Sequence, residues 1–340
     1  MTEPASKTTT TLPPGFDADL AWLLGQCCNV TYQDYDQDTP PDLSVLQLGT
    51  GVTISPSAVQ GFAAWEANGP ASTVADPGDY SNFPAGFAAV LAIHNAPAGV
   101  PSQLIVVALR GTQTWEEWFE NSEAYPELFA SGTETFQALA LVHSGFYALY
   151  TAGYLGATVS APLDPNPANR APKSIAQQVA TYFAGSSLPQ NVPVYVTGHS
   201  LGGALAVYCA WDIQAILTPT ISQISMYSLA VPRCALGFAV DKFGITTGSF
   251  LEAYQKAIPN SFRVVHTCDL VPVLPPSTIV STTYVTLTTA HVTDAWTNGG
   301  QSGGLTNNVL AFAAQTGDIS GNHSCALTYV PYLAALASGF

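Results

Sequence analysis

The sequence predicts an α/β fold, with a central, mostly parallel sheet flanked by helices, and three observations predict it. Short continuous apolar runs such as Gln103–Arg110 (QLIVVALR) read as strands buried on both faces. Leu201–Leu217 is apolar and Ala-rich, with no proline and no glycine after Gly203, and reads as a helix. Strand-like and helix-like segments alternate along the chain, the signature of helices packed on a sheet.

Taken in order, residues 1–14 are polar and Thr-rich and read as a disordered tail. Asp17 to about Cys28 carries Leu20, Leu23, Leu24 and Cys27 or Cys28 at helical spacing, which predicts an amphipathic helix. Asp34–Asp42 is acidic and Pro-bearing, hence a loop. Gly86–His94 and Gln103–Arg110, separated by Asn95–Ser102 with its two prolines, predict a β-hairpin. Val194–Thr197, Ile224–Leu229 and Arg263–Thr267 continue the strand series. The Pro/Asn-rich Ala161–Lys173 and the Gly/Ser/Asn-rich Asn298–Asn308 read as surface insertions. No internal repeat is visible, and residues 15–340 are expected to form a single domain.

Composition narrows the function. Of 340 residues 47% are hydrophobic, so a large core is affordable, while only 9% are charged. The 23 acidic against 8 basic side chains leave a net charge of -15. Nucleic acid is excluded as a partner, because phosphate binding needs clustered Lys and Arg. Anionic lipid would be repelled as well, so contact with a lipid phase has to rely on apolar area. No stretch approaches the roughly 20 apolar residues of a membrane-spanning helix, so no transmembrane segment is expected. The six cysteines are too scattered for a CxxC metal or redox site. Cys209, in the apolar helix, reads as a buried free thiol, and the other five leave room for one or two disulfides. Asn29 and Asn322 each begin an Asn-x-Ser/Thr pattern, and the second is expected to be unused because it adjoins His323.

The chemistry concentrates at VYVTGHSLGGALA (194–206), where Gly198-His199-Ser200-Leu201-Gly202 joins a short strand to a helix of small residues. A serine on such a strained turn exposes its Oγ near a helix N-terminus, and its neighbours must be small for strand and helix to approach. Free N–H groups there favour developing negative charge, which makes the Leu201 amide one candidate oxyanion donor.

The chain resembles the class 3, fungal-type lipases, a family that also contains feruloyl esterases. The resemblance rests on VVALRGTQTWEEWFEN (106–121), VHSGFYALY (142–150), VYVTGHSLGGALA (194–206) and FRVVHTCDLVPVLPP (262–276), and spans roughly residues 86–335. A weaker segment, YSLAVPRCALGFA (227–239), keeps the family's Pro-Arg but carries Ala230 where the family usually has glycine. What the resemblance implies is an α/β-hydrolase fold with a lid segment, and hydrolysis of acylglycerol-type carboxylic esters through a Ser-Asp-His triad and an acyl-enzyme. It leaves feruloyl or short-chain esterase activity open, as it does acyltransferase or peptidase chemistry on the same scaffold. The implied partner is an ester or lipid substrate, met at a lipid–water interface. Secretion is implied as well; the polar start of the chain has no signal-peptide pattern, so either the chain is a trimmed form or the protein is not exported by the usual route and is otherwise cytoplasmic.

In this fold the acid and then the base follow the nucleophile. Asp269, in Asp-Leu-Val-Pro at the end of a strand, resembles the family's acid. His266, His291 and His323 follow Ser200. His266 precedes every good carboxylate from within a buried strand and reads as structural or partly exposed. The family pairs a non-catalytic histidine shortly after its Pro-Pro with a catalytic one near the C-terminus, which favours His323 over His291 as the base. His94 reads as surface or strand, His199 as a packed neighbour within the elbow, and His143, which the resemblance aligns with a family histidine beside Gly145-Phe146, as structural or bonded near the oxyanion loop. Arg110-Gly111-Thr112 matches the family's second oxyanion site, through the Thr112 amide, with Asn121 supporting its hydroxyl. Gln113–Ser131, which mixes Trp115, Trp118, Phe119, Tyr125 and Phe129 with glutamates, resembles the lid. No cofactor or metal is expected, since no H-E-x-x-H, Walker A or dinucleotide motif is present.

Overall fold

The computed structural model describes residues 12–33, 41–63, 84–111, 126–129, 141–151, 174–185, 191–217, 221, 223–236, 239–240, 246–247, 250–274, 278–279, 282–285, 309–312 and 319–338. Its centre is a seven-stranded sheet in which spatial order follows chain order: β1 (Thr53–Ala63), β2 (Pro84–His94), β3 (Gln103–Leu109), β4 (Val194–His199), β5 (Ile224–Leu229), β6 (Ser261–His266) and β7 (Val309–Phe312). β1, β2 and β3 pair antiparallel, and from β3 to β7 every pairing is parallel. β2 and β3 form the expected hairpin, with Gly86 opposite Leu109 and Ala92 opposite Gln103.

The parallel strands are buried on both faces, which is why they read as continuous apolar runs and not as alternation. One face packs Val107, Leu109, Val194 and Val196 against α2 (Ile175–Gly185) and α3 (Leu201–Leu217). The other packs Val106, Ala108, Tyr195 and Val264 against α1 (Ala18–Gln33) and α4 (Val330–Ala337). The first and last described helices therefore meet on one side of the sheet, where Gly25 of α1 lies against Leu333 of α4. This architecture is that of the α/β-hydrolase fold.

Three details depart from the sequence reading. Residues 12–14, assigned to a tail, include a buried Pro13 whose carbonyl accepts the Phe16 N–H. Phe129, assigned to the lid, sits in the core, in ring contact with Tyr147, Tyr208, Trp211 and Phe250. Pro126–Leu128 just before it pairs antiparallel with Leu141–His143, so this end of the segment is fixed sheet. All six cysteines are free thiols, with Cys268 alone exposed, so none of the disulfides the sequence allowed is formed. The Cys28 Sγ lies instead 3.2 Å from the Thr197 hydroxyl, and the Cys325 Sγ faces the Gly25 carbonyl.

Ala230, just past β5, has φ 54°, and its N–H continues the ladder to the Val264 carbonyl. A left-handed backbone costs alanine about 1–2 kcal/mol. Glycine escapes that cost but brings about 0.4–1 kcal/mol more unfolded-state freedom to lose. Ala230→Gly is therefore expected to leave stability unchanged or slightly raised in a denaturant titration. A loss above about 2 kcal/mol would mean that packing of the buried methyl outweighs the backbone strain.

Candidate active site

The carboxyl ends of β3, β4, β5 and β6 converge on Ser200. Its φ of 58° lies in the left-handed region, at the sharp turn between β4 and α3. Its N–H reaches the Leu229 carbonyl at 3.0 Å, and its own carbonyl accepts the Gly203 N–H at 2.9 Å. A Cβ at Gly198 would collide with the Gly202 carbonyl, and one at Gly202 with the carbonyl of Leu109. Only glycine at both positions lets the start of α3 lie this close to β3 and β4. Leu201 opens α3, so its N–H is among those a helix leaves without an intrahelical partner.

His323 reaches Ser200 from the short helix Ile319–His323, far along the chain. Its Nε2 stands 2.8 Å from the Ser200 Oγ, and its Nδ1 2.8 Å from Oδ2 of Asp269. Asp269 is almost fully buried, so its carboxylate needs donors, and three converge on it. Besides His323, the Val271 N–H reaches Oδ1 at 3.0 Å and the Tyr329 hydroxyl reaches Oδ2 at 2.7 Å. Burial, with the Asp269 charge beside it, pushes the Tyr329 phenol well above its ordinary pKa, so the hydroxyl keeps its proton and donates. The same hydroxyl accepts the His266 N–H at 3.0 Å.

The remaining polar groups brace these three. His266 is fully buried, and its Nδ1 lies 3.1 Å from the Asn322 carbonyl, a contact that requires the proton on Nδ1. It thereby ties β6 to the residue preceding His323. The buried Arg263 guanidinium donates to the Val231 carbonyl at 3.1 Å and to the Pro272 carbonyl at 2.9 Å. It joins the end of β5 to the turn after Asp269. Burial lowers its pKa to about 10, which still leaves it a cation at neutral pH.

His199 lies beneath the site, its ring centroid 4.7 Å from that of His323 and its Nδ1 2.8 Å from the Tyr32 hydroxyl. Burial pushes its pKa well below the ordinary range, and the neighbouring His323 adds to the shift, so this imidazole is neutral. His143 is buried and stacked on Phe146, with a pKa lowered to about 4 by desolvation, and His94 is exposed.

The structure thus brings Ser200, Leu201, Asp269 and His323 together. Thr112, Asn121, His291 and the lid residues Gln113–Tyr125 lie outside the described residues. Sequence reasoning did not find the roles of Tyr32, Arg263 and Tyr329 around the site. Tyr32 and Tyr329 lie on helical stretches whose spacing reports only which side faces the core. Among the described residues no cluster of His, Cys, Asp and Glu could hold a metal ion, and no helix is long and apolar enough to cross a membrane.

Comparison with known proteins gives one family: a model of the class 3 lipases matches residues 106–279. No curated protein matches the chain. Among solved structures, a deletion mutant of the Rhizomucor miehei lipase in complex with its propeptide is similar at 19% identity and a TM-score of 0.43. That match covers 76% of this chain and 61% of the Rhizomucor chain. Lipase II from Rhizopus niveus is similar at 16% identity and a TM-score of 0.40, over 76% of this chain and 74% of its own. A lipase from Rhizopus microsporus var. chinensis is similar at 19% identity and the same TM-score, over 80% and 76%.

Proposed function

The chain belongs to the class 3 lipase family, and from that premise we propose that it hydrolyses acylglycerol-type carboxylic esters through a Ser200–His323–Asp269 triad. The observation that carries this reading is the pair of 2.8 Å contacts that link Oγ, imidazole and carboxylate in line. A serine hydroxyl is too weak an acid to attack an ester unaided, and His323 Nε2 is placed to take its proton. Asp269 holds Nδ1–H and stabilises the imidazolium formed during attack. The carbonyl oxygen then carries negative charge, received by the Leu201 amide at the helix N-terminus and by the Thr112 amide. As the tetrahedral intermediate collapses, His323 returns the proton to the leaving alcohol and Ser200 is left acylated. Water, deprotonated by the same imidazole, attacks the acyl-enzyme and releases the acid.

Two exposed leucines near the triad residues in the chain support acylglycerols over small polar esters as substrates. Leu270 directly follows Asp269 and Leu327 lies four residues past His323, and both are exposed. With a net charge of -15, the attraction to substrate has to be apolar. The test is a series of p-nitrophenyl esters of rising chain length, followed by emulsified triacylglycerol. Burying each added methylene is worth about 0.8 kcal/mol, so kcat/KM is expected to rise by up to about fourfold per carbon until the acyl site is full. A profile that peaks at acetate, with no hydrolysis of the emulsion, would reassign the enzyme to short-chain or aromatic esters.

A further inference from the structure

One contact at the site comes from a part of the chain that neither the family match nor the sequence motifs cover. Tyr32 lies in the last turn of α1, and its half-buried side chain reaches between two strand ends. On one side its hydroxyl packs against Gly111, the last residue before Thr112. On the other it meets His199 Nδ1 at 2.8 Å, directly before Ser200. The proton arrangement follows from the chemistry. Burial pushes the Tyr32 phenol well above its ordinary pKa, so it keeps its proton, and the same effect holds His199 neutral. The 2.8 Å contact therefore joins a protonated phenol to a neutral imidazole.

The packing allows no slack. A Cβ at Gly111 would collide with the Tyr32 hydroxyl, and would stand 2.7 Å from the His199 carbonyl and 2.9 Å from the Ser200 Cβ. The β3 end therefore touches the elbow directly, with the phenol wedged beside the contact. We propose that Tyr32 is a positioning residue for oxyanion stabilisation, its hydroxyl clamping the strand end that leads into Thr112 to the elbow that carries Ser200 and the Leu201 amide. Two donors on separate strand ends stabilise an oxyanion only while their spacing is held to a fraction of an ångström. The clamp sets that spacing without touching substrate.

This inference rests on the ester-hydrolase reading, and the experiment separates the two. Tyr32→Phe keeps the ring and its edge contact with His199 and removes only the hydroxyl. Rates on a soluble short-chain ester are normalised to Ser200 sites titrated with a fluorophosphonate, so misfolded protein counts as missing sites and not as slow ones. Loss of an oxyanion donor costs about 10²–10³ in kcat, and a donor displaced but present is expected to cost about 10–100-fold, with KM unchanged. The affinity for an aryl boronic acid, which forms a tetrahedral adduct on Ser200, is expected to fall by the same factor. A simple structural role would lower the site count and leave normalised kcat and boronate affinity alone. That result, or a variant within about twofold of wild type in both, overturns the inference. If the wild type itself takes no label at Ser200, it is the hydrolase reading that fails.

Discussion

Replacing Ser200 by alanine is expected to lower kcat by about 10⁶-fold, because triad members act as a unit and loss of the nucleophile removes what the other two assist. The fold should survive. Only the Oγ is lost, and the backbone bonds of the turn, from the Ser200 N–H to Leu229 and from Gly203 to the Ser200 carbonyl, do not involve it. Intact-mass analysis after a fluorophosphonate is expected to show one adduct on the wild type and none on the variant. An adduct that persists, or that maps to another serine, would remove Ser200 from the mechanism.

The next largest effect is expected at the base. His323→Ala should be as inactive as Ser200→Ala, whereas His291→Ala should keep activity within about tenfold, since only one imidazole can hold Oγ at hydrogen-bond distance. The 2.8 Å contacts of His323 to both Ser200 and Asp269 are what motivate the choice. The inactive variant should remain folded, because the Asp269 carboxylate keeps the Val271 N–H and the Tyr329 hydroxyl as donors. Initial rates for the two variants, with melting curves for both, decide the matter. An active His323→Ala beside a dead His291→Ala would transfer the role of base.

Elements whose physics is local were legible in the chain. β3, β4 and α3 are sequence-contiguous, apolar and free of interior proline, and their predicted limits differ from the observed ones by a residue or two. The elbow was legible for the same reason: the close approach of strand and helix demands small residues at 198 and 202 and leaves a mark in the sequence. Where an element is finished by contacts made elsewhere, the mark is weaker. The first helix was expected to end near Cys28, where its apolar pattern stops. It runs to Gln33, with Val30 buried in the core and the Thr31 hydroxyl satisfied by the Cys28 carbonyl at 2.6 Å. Phe129 likewise reads as one more aromatic in an aromatic-rich segment, and only its surroundings make it core.

The sequence by itself determined the α/β alternation, the elbow around Ser200, and the absence of the basic clusters that a nucleic-acid partner requires. Each is a property of residue type and spacing along a few turns or strands. Only the tertiary structure decided which donors support Asp269, how His266 and Arg263 hold the loops around it, and that Tyr32 reaches the elbow. Those contacts join residues up to 167 positions apart, as between Tyr32 and His199. Nothing in a local pattern encodes them. A hydroxyl on a helix face has the same sequence context whether it meets water or a buried imidazole, and the packing of α1 onto the sheet is what distinguishes the two.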